Sequence, residues 1–228
     1  MTRYCHLIWD WNGTLLDDVQ TCVGVLNRLC HKYHKNPTTY DFYLQEFDFP
    51  VERFYKTLGF DFSQESYDQV ARDYIALYTE RQRQCSLHSH ARSSLEHCRQ
   101  QGLGQSILSA YHQSLLVEIV RDFNIDDYFD HIMGLSDLHA KSKVAVGQDL
   151  IKRLKCPPQQ VLLIGDTTHD HEVALTLGID CILIQNGHQH PDRLQACGIP
   201  VLTGLKQVPI WLQDPLPQPI TETCDKHE

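Results

Sequence analysis

Two acidic segments, each directly after an apolar run, have the clearest chemical meaning in this 228-residue sequence. DWNGT begins at Asp10, and GDTTHD carries Asp166 and Asp170. A carboxylate can attack a phosphoryl group as a nucleophile. Carboxylate oxygens are also hard ligands that suit Mg²⁺ better than zinc or copper. The two segments therefore predict a Mg²⁺ site beside a carboxylate that could act as a nucleophile.

Between these segments the sequence offers polar groups that suit an anionic substrate. Ser109 ends the run ILS, and its hydroxyl and the following backbone N–H groups can hold phosphate oxygens. Lys141 or Lys143 can place an ammonium ion where charge develops on a phosphoryl group. Each feature alone is common, since many serines only cap a helix and most surface lysines bind nothing. Their order along the chain, at predicted strand ends or helix starts, favours one shared site.

The segments around these residues predict an α/β fold. Apolar runs predict strands near residues 5–11, 105–110, 131–135, 161–165 and 181–185. Helices are predicted near residues 17–33, 91–101, 142–154 and 172–177, with another starting near residue 113. This alternation predicts a doubly wound parallel sheet, in which the carboxyl ends of the strands meet at one crevice.

A helical insert interrupts this pattern after the first strand. Residues 36–84 contain prolines and aromatic amphipathic stretches but no run resembling a core strand. The longest helix, predicted near residues 63–83, carries an apolar stripe that we assign to packing alone: Tyr67, Val70, Tyr74, Leu77 and Tyr78. We expect an α/β core of residues 1–16 and 85–213, an insert of residues 17–84, and a flexible tail of residues 214–228.

Together these motifs resemble the haloacid dehalogenase superfamily, whose signature is D-x-D-G-T, a serine or threonine, a lysine and an acidic G-D-x-x-x-D. The resemblance covers residues 5–212 and implies a Rossmann-like core with a small helical cap, as in phosphoglycolate phosphatase. It implies that Asp10 is the nucleophile and that Ser109 binds the phosphoryl group with Thr14 and Ala110. Lys143, preferred over Lys141 because a Ser-Lys pair opens the following helix, would orient nucleophile and phosphate.

The resemblance also implies a magnesium site. Its ligands would be the Asp10 carboxylate, the main-chain carbonyl of Asn12, and Asp166, with Asp170 acting directly or through water. The expected activity is Mg²⁺-dependent removal of phosphate from a small phosphorylated metabolite, through an aspartyl-phosphate on Asp10.

Asn12 departs from the family pattern, which has an aspartate there as acid and base. An amide does not exchange protons usefully near neutral pH. A substrate with a good leaving group would tolerate this change, or a histidine could substitute, with His112 the first candidate before His169 and His171. Alternatively the chemistry never needed that acid.

The last option has a precedent in phosphonoacetaldehyde hydrolase, which cleaves a C–P bond and needs a cap lysine for a Schiff base. Lys56 is the nearest candidate in the insert, although it is equally compatible with a solvated helix face. Arg53 and Lys56 could instead meet a second anionic group of the substrate. A protein that binds a phosphometabolite with weak turnover is the non-enzymatic alternative.

Composition restricts the partners. A formal net charge of -9 disfavours nucleic acid, and no apolar run reaches the roughly 20 residues of a membrane span. Nine scattered cysteines without a C-x-x-C pair suit reduced thiols in a cytoplasm, and no structural-zinc spacing is present. The oligomeric state does not follow from the sequence.

Overall fold

A computed structural model describes residues 2–136 and 142–213. The main sheet has six parallel strands in the order β5-β4-β1-β6-β7-β8. The strands are β1 (His6–Trp9), β4 (Gly104–His112), β5 (His131–Leu135), β6 (Val161–Gly165), β7 (Asp180–Ile184) and β8 (Val201–Leu202). The predicted doubly wound α/β fold is confirmed, with β8 as a strand that the sequence did not predict.

Helices cover both faces of this sheet. They are α5 (Ala91–Gln100), α6 (Gln113–Asp122), α7 (Lys143–Arg153), α8 (Thr168–Leu177), α9 (Pro191–Gln195) and α10 (Gln207–Gln213). Alternate side chains of β1 point to opposite faces: Leu7 and Trp9 pack with α5 and α6, whereas Ile8 packs with α7 and α8. Because both faces of the sheet are buried, the strand sequences are continuous apolar runs and do not alternate between apolar and polar residues.

The insert is helical, as predicted. It comprises α1 (Val19–Lys32), α2 (Tyr40–Glu46), α3 (Val51–Thr57) and α4 (Tyr67–Gln82). These helices share a separate aromatic-rich core that includes Tyr43, Phe54 and Tyr78. Helix α4 begins later than predicted because Ser66 caps it, accepting a hydrogen bond from the Gln69 N–H.

A two-stranded antiparallel ribbon joins the insert to the sheet. Strand β2 (Leu16–Asp17) enters the insert and pairs with β3 (Ser86–Leu87), which leaves it. The two connections therefore lie side by side, close to the carboxyl end of β1, and the sequence did not predict this ribbon.

The structure also bears on the predictions for the cysteines and for membrane spans. Cys5 and Cys156 form a disulfide, so the expectation of reduced thiols is wrong for this pair. The residues precede adjacent strands, which brings their Cα atoms to 6.4 Å, a distance that a disulfide can span. Among the helices of the described ranges, none is long and apolar enough to cross a membrane. The predicted tail, residues 214–228, lies outside the described residues.

Candidate active site

Asp10 and Asp166 lie side by side because their strands are neighbours. Each aspartate follows its strand directly, and Trp9 of β1 is in register with Ile164 of β6. The Asp10 N–H continues the ladder by donating to the Ile164 carbonyl at 2.9 Å. Asp10 and Asp166, which are far apart in sequence, are therefore buried next to each other at the carboxyl edge of the sheet.

Lys143 joins Asp10 to Asp170. It is the first residue of α7, and its Nζ lies 2.6 Å from Asp10 Oδ1 and 2.5 Å from Asp170 Oδ1. All three side chains are buried. Ser142 starts the helix by accepting a hydrogen bond from the Ala145 N–H, which fixes where Lys143 leaves the backbone.

Asp170 is held by the start of α8. Its Oδ2 accepts hydrogen bonds from the Thr167 hydroxyl at 2.7 Å and the Thr167 N–H at 3.0 Å, completing a capping box. The remaining oxygen, Oδ1, faces Lys143. Helix α8 thus begins at Thr168, earlier than the predicted start near residue 172, because this box satisfies its first N–H groups.

Asp166 is fixed by donors on both oxygens. The Thr14 hydroxyl donates to Oδ1, and the His188 N–H donates to Oδ2, each at 2.7 Å. The backbone also approaches closely: a Cβ on Gly13 or Gly187 would lie 2.3 or 2.1 Å from Asp166 Oδ2. Gly13 has φ +74°, which favours glycine independently of this contact.

Among the described residues, the carboxylate cluster holds more negative than positive charge. Oxygens of Asp10, Asp166 and Asp170 lie within 4.8 Å of one another, and Lys143 contributes one cation, so the fully ionised group carries a net charge of −2. Burial and the neighbouring carboxylates raise the pKa of Asp10, with Lys143 opposing, and burial is the main cause that raises the pKa of Asp166. A hard divalent cation fits this set of donors and its charge.

Ser109 lies beside this cluster in the next strand. It falls in an irregularity of β4, where the pairing with β5 shifts between Leu108 and His112. Its Oγ accepts a hydrogen bond from the Tyr111 N–H at 3.0 Å, so its own proton remains free to donate. Strand β4 continues to His112 rather than ending at Ser109. Ala110, the residue after Ser109, is half-buried.

Asn12 belongs to a network that the sequence analysis missed. Its Nδ2 donates to Asp18 Oδ2 at 2.8 Å and to the Tyr78 hydroxyl at 2.7 Å. Tyr78 in turn donates to Asp18 Oδ2 at 2.6 Å. Tyr78 therefore contributes its hydroxyl to this network in addition to the packing of its ring in the insert core. Asp18 Oδ1 also accepts a hydrogen bond from the Gly13 N–H at 2.9 Å.

His188 connects this network to the insert. Its Nε2 lies 3.2 Å from Asp18 Oδ1, and its Nδ1 lies 2.7 Å from the Tyr43 hydroxyl. Burial opposes charging of both groups, but their mutual attraction raises the pKa of His188 to about 9 and lowers that of Asp18 to about 2. Cys22 also points its thiol at Asp18, at 3.5 Å. These contacts satisfy the trio without a metal, although Asp18, Cys22 and His188 lie close enough to share one.

His188 had one sequence signal that pointed to it. It comes four residues after the end of β7, at the same edge of the sheet as Asp10 and Asp166. Tyr43 and Tyr78 had none, because aromatic residues on helices with apolar stripes usually only pack.

The other sequence candidates make no hydrogen bond or ion pair with the carboxylate cluster among the described residues. His112 Nδ1 meets the Ser114 hydroxyl, and the ring of His169 stacks on Phe49. On α3, Lys56 pairs with Glu52 at 2.7 Å with more than half of its side chain exposed, and the neighbouring Arg53 is exposed. The structure brings neither cation to Asp10. Lys141 lies outside the described residues.

Comparison with known proteins agrees with this geometry. A family model for haloacid dehalogenase-like hydrolases matches residues 7–184. The tyrosine-protein kinase PtkA of Mycobacterium tuberculosis is 31% identical over 86 residues, 37% of this chain. That match spans 30% of the length of PtkA, so it covers less than a third of this curated relative.

Solved structures show the same fold. The PtkA structure from M. tuberculosis has a TM-score of 0.77 at 21% identity, covering 92% of this chain and 98% of that one. A predicted phosphatase from Clostridium acetobutylicum has a TM-score of 0.76 at 17% identity, with coverages of 92% and 98%. A predicted phosphoglycolate phosphatase from Haemophilus somnus has a TM-score of 0.73 at 15% identity, with coverages of 91% and 97%. Identities this low support the fold alone.

Proposed function

The chain belongs to the haloacid dehalogenase-like hydrolases, and from this membership we propose that it is a Mg²⁺-dependent phosphatase acting on a small phosphorylated metabolite. The observation that carries the proposal is the buried group of Asp10, Asp166 and Asp170 around Lys143. Its chemistry suits an anionic substrate and a divalent cation, in agreement with the phosphatases that share the fold.

In this proposal Asp10 is the nucleophile. A carboxylate oxygen of Asp10 attacks phosphorus as the bond from phosphorus to the leaving oxygen breaks, giving an aspartyl-phosphate. Water then attacks this phosphorus as its bond to the Asp10 oxygen breaks, which regenerates the Asp10 carboxylate, releases inorganic phosphate and gives the proton of water to the solvent. Lys143 restrains the attacking side chain and places positive charge where the phosphoryl oxygens would lie.

Asp10, Asp166, Asp170 and the Asn12 carbonyl would hold the metal ion. When bound, Mg²⁺ would neutralise charge on the phosphoryl group and on the surrounding carboxylates. Thr14 serves mainly to orient Asp166, since its hydroxyl proton is already donated to that residue. Ser109 and the Ala110 N–H are the proposed phosphate donors, because the Ser109 proton is free.

The insert is the proposed cap, residues 17–84 joined to the core through β2 and β3. The insert contacts the core close to Asp166: Gln189 donates from Nε2 to the Phe47 carbonyl and accepts from the Thr168 N–H. A cap in this position excludes water from the phosphoryl group.

Asn12 restricts the substrate. Both hydrogens of its amide are donated to Asp18 and Tyr78, so it offers no proton to a leaving alkoxide. An acid in that position commonly contributes roughly 100- to 10,000-fold to a rate. We therefore propose that the preferred substrate has a leaving group that departs without full protonation.

A second candidate is phosphoryl transfer to a hydroxyl acceptor. The similarity to the tyrosine-protein kinases PtkA favours it, together with the absence of an acidic side chain at residue 12 to activate water. The C–P cleavage alternative gains no support, because Lys56 is paired with Glu52 on an exposed face of α3.

The test is Mg²⁺-dependent phosphate release from 2-phosphoglycolate, other alkyl phosphates and an activated aryl phosphate. We expect release by the wild-type chain, loss with a chelator, and loss in Asp10→Asn, with exposed Asp41→Asn on α2 as the matched control. The aryl phosphate should react at least about 100-fold faster than the alkyl esters, because it needs no acid. Undiminished turnover in Asp10→Asn would refute the proposal. Label transfer from ATP to a tyrosine peptide without phosphate release would favour the second candidate.

A further inference from the structure

Asp18 is a buried carboxylate on which the catalytic loop and the insert converge. It is 0% exposed and precedes the first helix of the insert. Its two oxygens receive hydrogen bonds from both sides, from the Asn12 amide and the Gly13 N–H on the loop after Asp10, and from Tyr78 on α4. His188, on a different core loop, contacts the same carboxylate at 3.2 Å.

Proton counting fixes the orientation of Asn12. A carboxylate only accepts hydrogen bonds, so the amide nitrogen of Asn12, not its oxygen, must face Asp18. Tyr78 has one hydroxyl proton and gives it to Asp18, so its oxygen accepts the second amide hydrogen. With both hydrogens committed, Oδ1 is the one atom of this side chain left to meet substrate or water, and it is an acceptor.

We propose that Asp18 is a positioning residue that sets the side chain of Asn12 beside Asp10 and couples that setting to closure of the insert. The proposal rests on the proposed function for the identity of the reacting group, Asp10. It also explains why an amide occupies position 12. An aspartate there would place a second carboxylate 2.8 Å from Asp18 Oδ2, where the amide now donates, and two like charges, one of them fully buried, repel at that distance.

Three helices of the insert contribute to the coupling. Asp18 begins α1, Tyr43 on α2 bonds to His188, and Tyr78 lies on α4. On the core side, their partners are Asn12, Gly13 and His188, which lie on two loops at the carboxyl edge of the sheet. Opening the insert must therefore break the contacts that orient Asn12, so the amide reaches its working position when the insert is closed.

The test exchanges amide and carboxylate between the two positions. The variants are Asn12→Asp, Asp18→Asn and the double variant. Asn36→Asp, at an exposed residue between α1 and α2, is the control for an amide-to-acid change outside the network. We expect Asn12→Asp to lower the melting temperature, to speed hydrogen exchange at the Gly13 amide and in α4, and to raise KM about tenfold or more. The double variant should recover most of the thermal stability and exchange protection, because it restores one donor and one acceptor at the pair.

Two outcomes would contradict the proposed coupling. Additive losses in the double variant, or an Asn12→Asp variant no worse than Asn36→Asp, would show that the pair is not matched. If Asp18→Asn does not fold, Tyr78→Phe provides the second measurement. This variant should speed hydrogen exchange at the Gly13 amide, and it should raise KM with a smaller change in kcat. Unfolding and exchange need no substrate, so they decide this proposal even if Asp10→Asn retains full turnover and the phosphatase proposal fails.

Discussion

Lys143 Nζ lies 2.6 Å from Asp10 Oδ1, and both side chains are buried. The ammonium group also contacts Asp170, and this contact makes Lys143 the cation shared by two carboxylates of the site. Burial opposes the charged lysine, but the two carboxylates raise its pKa. The proposed nucleophile is therefore held by a lysine whose charged form its two carboxylate partners favour.

Replacing this cation should disable the enzyme. We predict that Lys143→Met reduces kcat by roughly 100- to 1,000-fold, the usual effect of losing one preorganised charge at a developing anion. It should also lower the free energy of unfolding without Mg²⁺ by about 3 kcal/mol, because two buried carboxylates lose their partner. Phosphate-release kinetics and urea unfolding measure the two effects.

Lys152→Met supplies the matched control. Lys152 lies on the same helix, but its side chain is 76% exposed and only approaches Asp149. Surface ion pairs contribute about 0 to 1 kcal/mol, so this variant should keep both activity and stability. Equal losses in the two variants would mean that α7 is simply sensitive to change.

The sequence was sufficient to predict where the site residues at strand ends lie. Asp10, Ser109 and Asp166 each follow or interrupt a buried apolar run, and in a parallel sheet such positions meet at one edge. Lys143 was recoverable because it opens a helix after a serine cap. For these residues, local pattern and topology are enough.

The contacts of Asn12 with Asp18 and Tyr78 could not be derived in the same way. Asp18, Tyr78 and His188 meet through the position of the insert over the core, which depends on packing between segments far apart in sequence. A helical period places Tyr78 on an apolar stripe but does not reveal where its hydroxyl points. The disulfide was missed for a similar reason, since the Cys5 and Cys156 pairing follows from the adjacency of β1 and β6.

Mg²⁺ should stabilise the folded chain. At a concentration 100 times its Kd, a ligand that binds only the folded state adds about 2.7 kcal/mol. We predict a corresponding rise in melting temperature of roughly 5 to 10 °C for wild type and a much smaller one for Asp166→Asn. Exposed Asp192→Asn is the control. An identical Mg²⁺ response in Asp166→Asn would place the ion elsewhere.

His6 should make stability depend on pH in the acid range. Burial lowers its pKa to about 4, against a raising effect of Asp130, and its Nε2 contacts the Ser106 hydroxyl. Because the unfolded histidine titrates near 6.5, the unfolded state binds the extra proton between about pH 6.5 and 4. Stability contributed by neutral His6 is thus complete above pH 6.5 and is lost as the pH falls.

The expected size is about 3 kcal/mol across that window. His6→Gln should lower stability at pH 7 but flatten the decline between pH 6.5 and 4, measured by denaturant unfolding at several pH values. Exposed His31→Gln, on α1, should leave the wild-type slope unchanged. A His6→Gln variant with the same slope as wild type would show that another group causes the decline.

Gly187 should be needed for the metal site although it binds nothing itself. A Cβ at this position would lie 2.1 Å from Asp166 Oδ2, a separation that forces the carboxylate to move. The next residue, His188, donates its N–H to the same oxygen at 2.7 Å, so the loop has little freedom to retreat. We predict that Gly187→Ala reduces Mg²⁺-dependent phosphate release about 100-fold and abolishes most of the Mg²⁺-induced rise in melting temperature.

Gly24→Ala separates this steric effect from the general consequences of adding a methyl group. Nothing lies within 4 Å of a Cβ at Gly24, which is in the interior of α1. Alanine there should raise stability by roughly 0.5 to 1 kcal/mol and leave the Mg²⁺ response intact. If Gly187→Ala responds to Mg²⁺ as strongly as Gly24→Ala does, the position of Asp166 does not control metal binding. The close approach of Gly187 would then be a requirement of loop packing alone.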